Sequence, residues 1–142
     1  MTSYRHTQIG HTIIYSMIAI ALLVGIITAS AASARPGLVI GVLVLIIAVV
    51  FYKLTVEVDE LYVRAIFGPG LTFRKIRLAD ISACEPIRIR WWYGWGIHLT
   101  PYGWLYNVSG WDAVAITLRN DRRVSLGTDR PEELCAAIRS AG

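Results

Sequence analysis

The sequence predicts a two-helix transmembrane hairpin followed by a mainly-β domain, about seven antiparallel strands in a part-closed barrel with one C-terminal helix. Three observations carry this. Two long stretches without a charged residue occupy the first third of the chain, residues 12–34 and 36–52. From Leu54 onward the apolar period changes to two. The last segment returns to helical spacing after Asp129-Arg130-Pro131.

The first apolar run has 23 residues and the second 17. A helix needs about 20 residues to cross the hydrocarbon layer, with a lower limit of about 17. Both runs pass, the second narrowly. The first also follows Arg5 and ends in small residues, as a cleaved signal does, but its apolar core is longer and a second run follows at once. The expected organisation is an N-terminal tail (1–11), the hairpin (12–53) and a β domain (54–142). Ser33-Ala34-Arg35-Pro36-Gly37 leaves room only for a tight turn, and Pro36 is allowed at a helix start.

Small residues repeat at Ala21, Gly25 and Ala29 and at Gly37 and Gly41. Such faces let helix backbones approach in lipid. They predict packing inside the hairpin, or else self-association or docking to another membrane protein. Neither run carries an Asp, Glu, Lys, Arg or His, which argues against a proton relay or ion path at membrane depth. Arg5 and Lys53 flank the outer ends of the runs and Arg35 the turn, so positive charge places both termini in the cytoplasm. Cys84 and Cys135 fit a reducing compartment and could equally pair.

In the β domain, Leu54, Val56 and Val58 alternate with Thr55, Glu57 and Asp59, and Leu61, Val63, Ala65 and Phe67 line one face. Asp59-Glu60 and Gly68-Pro69-Gly70 read as turns. A phase change between Phe73 and Ile76 predicts a bulge near Arg74 and Lys75. Thr100-Pro101-Tyr102-Gly103 suits a type I turn, which makes the aromatic run from Trp91 to Trp111 a hairpin. Asn120-Asp121 is a hairpin turn. Asp129 is the expected N-cap of the last helix, with Glu132 completing a capping box and Pro131 in the first turn.

All five tryptophans lie between Trp91 and Trp111. Trp95 and Trp104, beside Gly94, Gly96 and Gly103, are expected to be structural. Trp91 and Trp92 are adjacent, so on a strand they face opposite sides. Trp92 shares the parity of Arg88 and Arg90, and Trp92 with Arg90 is the expected exposed contact pair. Arg74, Lys75 and Arg77 form a basic strip that could meet anionic lipid.

No catalytic constellation stands out. His6, His11 and His98 with two distant cysteines make no metal array, so no metal or cofactor is expected. From residue 54 onward there are 11 Lys/Arg and 10 Asp/Glu, which is not the profile of a nucleic-acid binder.

Three stretches, "TVEVDELYVRAIFGPGLTFRKI", "YGWGIHLTPYGWLYNVSG" and "SLGTDRPEELCAAI", cover most of residues 54–138. They resemble a family of small bacterial membrane proteins with two spans followed by a bacterial PH-like (pleckstrin-homology-like) domain. This chain has His98 where that family often carries Arg. The resemblance implies a PH-like fold, an inner-membrane location and no defined activity. The expected function is a membrane-anchored, non-enzymatic binding or assembly module. The alternative is a peripheral sensor of anionic lipid at the same membrane, and the third reading is an enzyme with an unrecognised site.

Overall fold

The computed structural model describes residues 2–31 and 33–142. Among these, nine strands and three α-helices follow in the order β1 (Thr2–Ile9), α1 (His11–Ala29), α2 (Arg35–Phe51), β2 (Lys53–Asp59), β3 (Tyr62–Phe67), β4 (Leu71–Arg77), β5 (Ile81–Arg88), β6 (Gly96–Thr100), β7 (Gly103–Asn107), β8 (Asp112–Leu118), β9 (Arg123–Gly127) and α3 (Pro131–Ala141). Short 3-10 turns lie at Leu78–Asp80 and Trp91–Tyr93.

The apolar runs do form helices, but only α1 is long enough to cross a membrane by itself. It has 19 residues at a mean hydropathy of 2.3, against 17 residues in α2. At 1.5 Å per residue these span about 28 and about 25 Å. This corrects the expectation of two full spans at 12–34 and 36–52. The two helices lie side by side, with Thr28 against Gly37.

A second correction concerns the N-terminus. Where the sequence predicts a tail over 1–11, residues 2–9 form β1 and pair antiparallel with β2. Tyr4, His6 and Gln8 sit opposite Val58, Val56 and Leu54 on the inner face. On the outer face Arg5 pairs with Glu57 at 3.2 Å and the Thr7 and Thr55 hydroxyls meet at 2.8 Å. The helical pair is therefore an insertion between two neighbouring strands of one sheet.

The strands form two sheets, β1-β2-β3-β4 and β5-β8-β9-β7-β6, neither closed on itself. Seven antiparallel strands become nine, and one pairing, β7 with β9, is parallel. The parallel pair arises because β8 and β9 form a hairpin and β7 adds beyond β9. The inner faces share one core that includes Leu54, Val58, Phe67, Val108, Ile116 and Leu126. The expected bulge is present one residue early. Ala65 faces Arg74 and Ile66 faces Thr72, which leaves Phe73 unpaired.

Helix α3 closes one side of the sandwich with Leu134, Cys135 and Ile138, all buried. Its start differs from expectation. Arg130 occupies the N-cap position with no side-chain cap bond, and Pro131 stands in the first turn as predicted. Asp129 instead meets His6 Nε2 on β1. Cys84 on β5 and Cys135 on α3 are joined in a disulfide, with Cα atoms 5.8 Å apart. Arg139 reinforces that seam by donating to Cys84 O at 2.7 Å.

Candidate functional site

The β sandwich has a helix-proximal end and a distal end, and the two differ in chemistry. At the proximal end, Gly10 N–H donates to Tyr52 O at 2.7 Å. Gln8 Nε2 donates to Ser109 O at 2.9 Å, and the Thr12 and Ser109 hydroxyls lie 3.2 Å apart. The corner between β7 and β8 is thus held against the first turn of α1. The turn between β3 and β4 reaches the end of α2. A Cβ on Gly68, whose φ is +52°, would lie 2.7 Å from Val50 O.

Most of the aromatic run gathers at this proximal end. Ile89 N–H donates to Trp111 O at 2.5 Å, and Arg88 stands opposite Asp112 in the β5–β8 ladder. Trp95 Nε1 donates to Gly110 O at 3.3 Å, and the Trp95 and Trp111 rings lie 5.2 Å apart. Gly94 and Gly96, with φ of +69° and +103°, let the chain turn sharply on either side of Trp95.

Trp91 and Trp92 do not sit on a strand. They occupy a 3-10 turn, so strand alternation does not apply, and neither is core: they are 71% and 55% exposed. Their rings meet edge to face at 5.9 Å. The Arg90 guanidinium lies 4.9 Å from the Trp92 ring centroid, so the pair picked out by sequence is a cation–π contact. Arg88 is exposed beside it. On the facing sheet Phe73 stacks on Phe51 at 6.1 Å, and Phe73 and Leu71 are both exposed.

The two tryptophans expected to be structural diverge. Trp95 is half-buried against the core. Trp104, opposite Leu99 on β7, is 48% exposed. Outward-facing Leu99 gives it no core to join.

The basic strip is divided by local pairing. Arg77 binds Asp80 at 2.9 Å, Lys75 lies 3.7 Å from the Tyr62 ring centroid, and Arg74 is half-buried on the bulged stretch. Arg74, Lys75 and Arg77 belong to one sheet, Arg88 ends β5 in the other, and Arg90 lies just beyond it at the start of the Trp91–Tyr93 turn.

At the distal end are the β2–β3 turn, the Leu78–Asp80 turn and the β8–β9 turn, where Arg119 N–H donates to Asp80 O. This end carries Asp59, Glu60, Asp80, Arg119 and Asp121. The Asp59 carboxyl is lowered to about 2 by the backbone N–H of Leu61, by Arg64 and by the N–H of Tyr62. On β1, burial and the nearby Glu133 push the Tyr4 phenol up, so it stays neutral. A cleft of about 430 Å³ runs between the 78–84 segment and α3, with Arg119 and Arg139 on its wall. Among the described residues, no three His, Cys, Asp or Glu side chains come together to hold a metal ion.

Of the small-residue faces, Gly37 is taken up by Thr28 within the hairpin, whereas Gly25 and Gly41 have nothing within 4 Å of a Cβ position. The chain matches no protein-family model, no curated protein and no solved structure.

Proposed function

We propose that the protein is a membrane-anchored, non-enzymatic binding or assembly module of PH-like type, with both termini on one side of a bacterial inner membrane. One observation carries the reading: the helical pair is inserted between two hydrogen-bonded strands, joined to them through the single residues Gly10 and Tyr52. An anchor attached in this way holds the β sandwich at a set height and orientation over the bilayer. A flexible tether would leave both undefined. The exposed apolar surface of α1 and α2, including Leu22, Ile26, Leu38 and Leu45, has no cover except lipid or another apolar partner.

The same arrangement argues against a cleaved leader. Removal of α1 would remove β1 with it and bare the edge of β2, an open template for unwanted pairing. Gly25 and Gly41 leave a face on the hairpin for a second copy or another membrane protein, the assembly arm of the proposal.

Flanking charge supports a cytoplasmic β unit, with Arg5 and Lys53 against Arg35. A second reading, the β unit on the outer face, is favoured by the Cys84–Cys135 bond, because disulfides persist in oxidising compartments.

The test of anchoring is extraction. Alkaline carbonate should leave the full chain in the membrane pellet and detergent should release it. Release by carbonate alone would refute integral anchoring.

A further inference from the structure

We infer that the aromatic rim formed by Trp91, Trp92 and Trp111, with Leu71 and Phe73 on the facing sheet, is a belt that lies in the headgroup layer of the bilayer entered by α1. The inference rests on the proposed anchoring and adds to it a second, peripheral contact with the lipid surface.

Position comes first. Helix α1 is about 28 Å long, close to the ~30 Å hydrocarbon thickness, so His11 falls near the hydrocarbon edge. The headgroup layer outside that edge is roughly 5–7 Å deep on each side. Ser109 is bonded to Gln8 and Thr12, on either side of His11. Trp111 is two residues from Ser109, and its ring lies tilted against Trp95 at 5.2 Å. The Trp91–Tyr93 turn is tied to the same level by the bond from Ile89 to Trp111. On the other sheet, the Gly68 turn touches the end of α2, which places Leu71 and Phe73 at a matching height. Rings some 40 residues away in sequence from α2 are therefore beside the anchor in space.

Chemistry comes next. Tryptophan has an apolar body with one N–H and is enriched at membrane interfaces for that reason. Exposed Trp91, Trp92 and Phe73 beside water alone would form an apolar patch with no partner. Arg90 stands over the Trp92 ring, so its charge is presented at the rim, where a lipid phosphate could accept its hydrogen bonds. The distal end, six residues along β2 and about 20 Å away, carries carboxylates, and its one exposed tryptophan is Trp104, toward the β6–β7 turn, against three at the rim. A soluble partner would leave this polarity unexplained. A bilayer requires it at the end where the helices enter.

The test uses the full chain reconstituted in phosphatidylcholine vesicles whose acyl chains are brominated near the headgroup. Bromine quenches tryptophan on contact. Trp104 serves as the internal control, since it lies toward the β6–β7 turn, away from the rim. The double variant W91F/W92F, which removes two of four proximal tryptophans, should lose about half of the quenching. W104F should retain all of it. All three positions are exposed, so the fold is expected to survive, and an unchanged melting curve checks this. If the protein withstands carbonate extraction yet shows no quenching, or loses as much in W104F as in W91F/W92F, the belt is refuted and the anchor stands. Release by carbonate refutes the anchor and the belt with it.

Discussion

The backbone N–H of Gly10 donates to Tyr52 O at 2.7 Å, so helix α1 begins where helix α2 ends. A Cβ on Gly10 would lie 2.8 Å from Phe51 O, 3.1 Å from Val108 Cβ and 3.2 Å from Tyr52 O. Its φ of −78° suits any residue, so the demand for glycine is steric. Gly10→Ala should destabilise by about 1–3 kcal/mol, the usual range for overpacking. Gly25→Ala, with nothing within 4 Å, should leave melting unchanged. Thermal unfolding of both variants in the same detergent checks the contrast, and equal melting temperatures would remove Gly10 as the joint.

Cys84 and Cys135 enclose a loop with a sequence separation of 51. In the chain-entropy account a bond closing such a loop stabilises by about 4 kcal/mol. Reduction, or the pair C84S/C135S, should therefore lower the melting temperature markedly. The same pair reports which side of the membrane the sandwich occupies. Cells quenched in acid and then alkylated should yield a blocked pair if the β unit faces an oxidising compartment. Two alkylated thiols would place it in the cytoplasm, as the flanking charges have it.

The parts of this fold that can be read from sequence are those whose pattern is local. Uninterrupted apolar runs announce α1 and α2, alternation announces β2 and β3, and Pro131 with Leu134 and Ile138 announces α3. Strand β1 is hidden because its inward residues, Tyr4, His6 and Gln8, are polar. Its partner strand also lies some 50 residues on, beyond the intervening helices. Asp129 has good capping chemistry, yet His6 from that hidden strand takes its carboxylate. The exposure of Trp92 beside Arg90 was legible, although for a different reason: parity on a strand predicts it, and a 3-10 turn creates it, while the cation–π contact between the two has no sequence signature. The rim as a whole was not legible. Its proximity to α1 depends on Ser109 meeting Gln8 and Thr12, a long-range contact with no sequence signature.

Asp59 sets an acid limit on the distal turn. Its carboxylate accepts from the N–H groups of Leu61 and Tyr62 at 2.9 and 2.7 Å, and it also meets Arg64. Those donors favour the charged form and lower its value from 3.8 to about 2. A carboxylate depressed in the folded state stabilises above its unfolded value and loses that contribution as pH falls through the folded one. The stabilisation should be complete above about pH 4 and vanish near pH 2. Asp59→Asn should lower stability at neutral pH and flatten the profile in that window. Parallel profiles for the variant and the parent chain between pH 4 and 2 would show that Asp59 is not responsible.

Trp95 and Trp104 make the last test, because the sequence treats them alike and the structure does not. Trp95 is half-buried, lies tilted against the Trp111 ring and donates from Nε1 to Gly110 O. Gly110 O also accepts from Asn107 Nδ2 at 3.3 Å, so the indole is joined to the corner that touches α1. Full burial of a tryptophan makes truncation cost about 3–5 kcal/mol, and half-burial scales this to about 2 kcal/mol. Trp104 is 48% exposed and its neighbour across the strands, Leu99, faces solvent. Trp104→Ala should cost under about 1 kcal/mol, as surface substitutions do. Chemical denaturation of the two variants measures the difference directly. A larger loss at Trp104 than at Trp95 would mean that β6 and β7 are covered in the working protein, and it would move the search for a partner from the proximal rim to that edge.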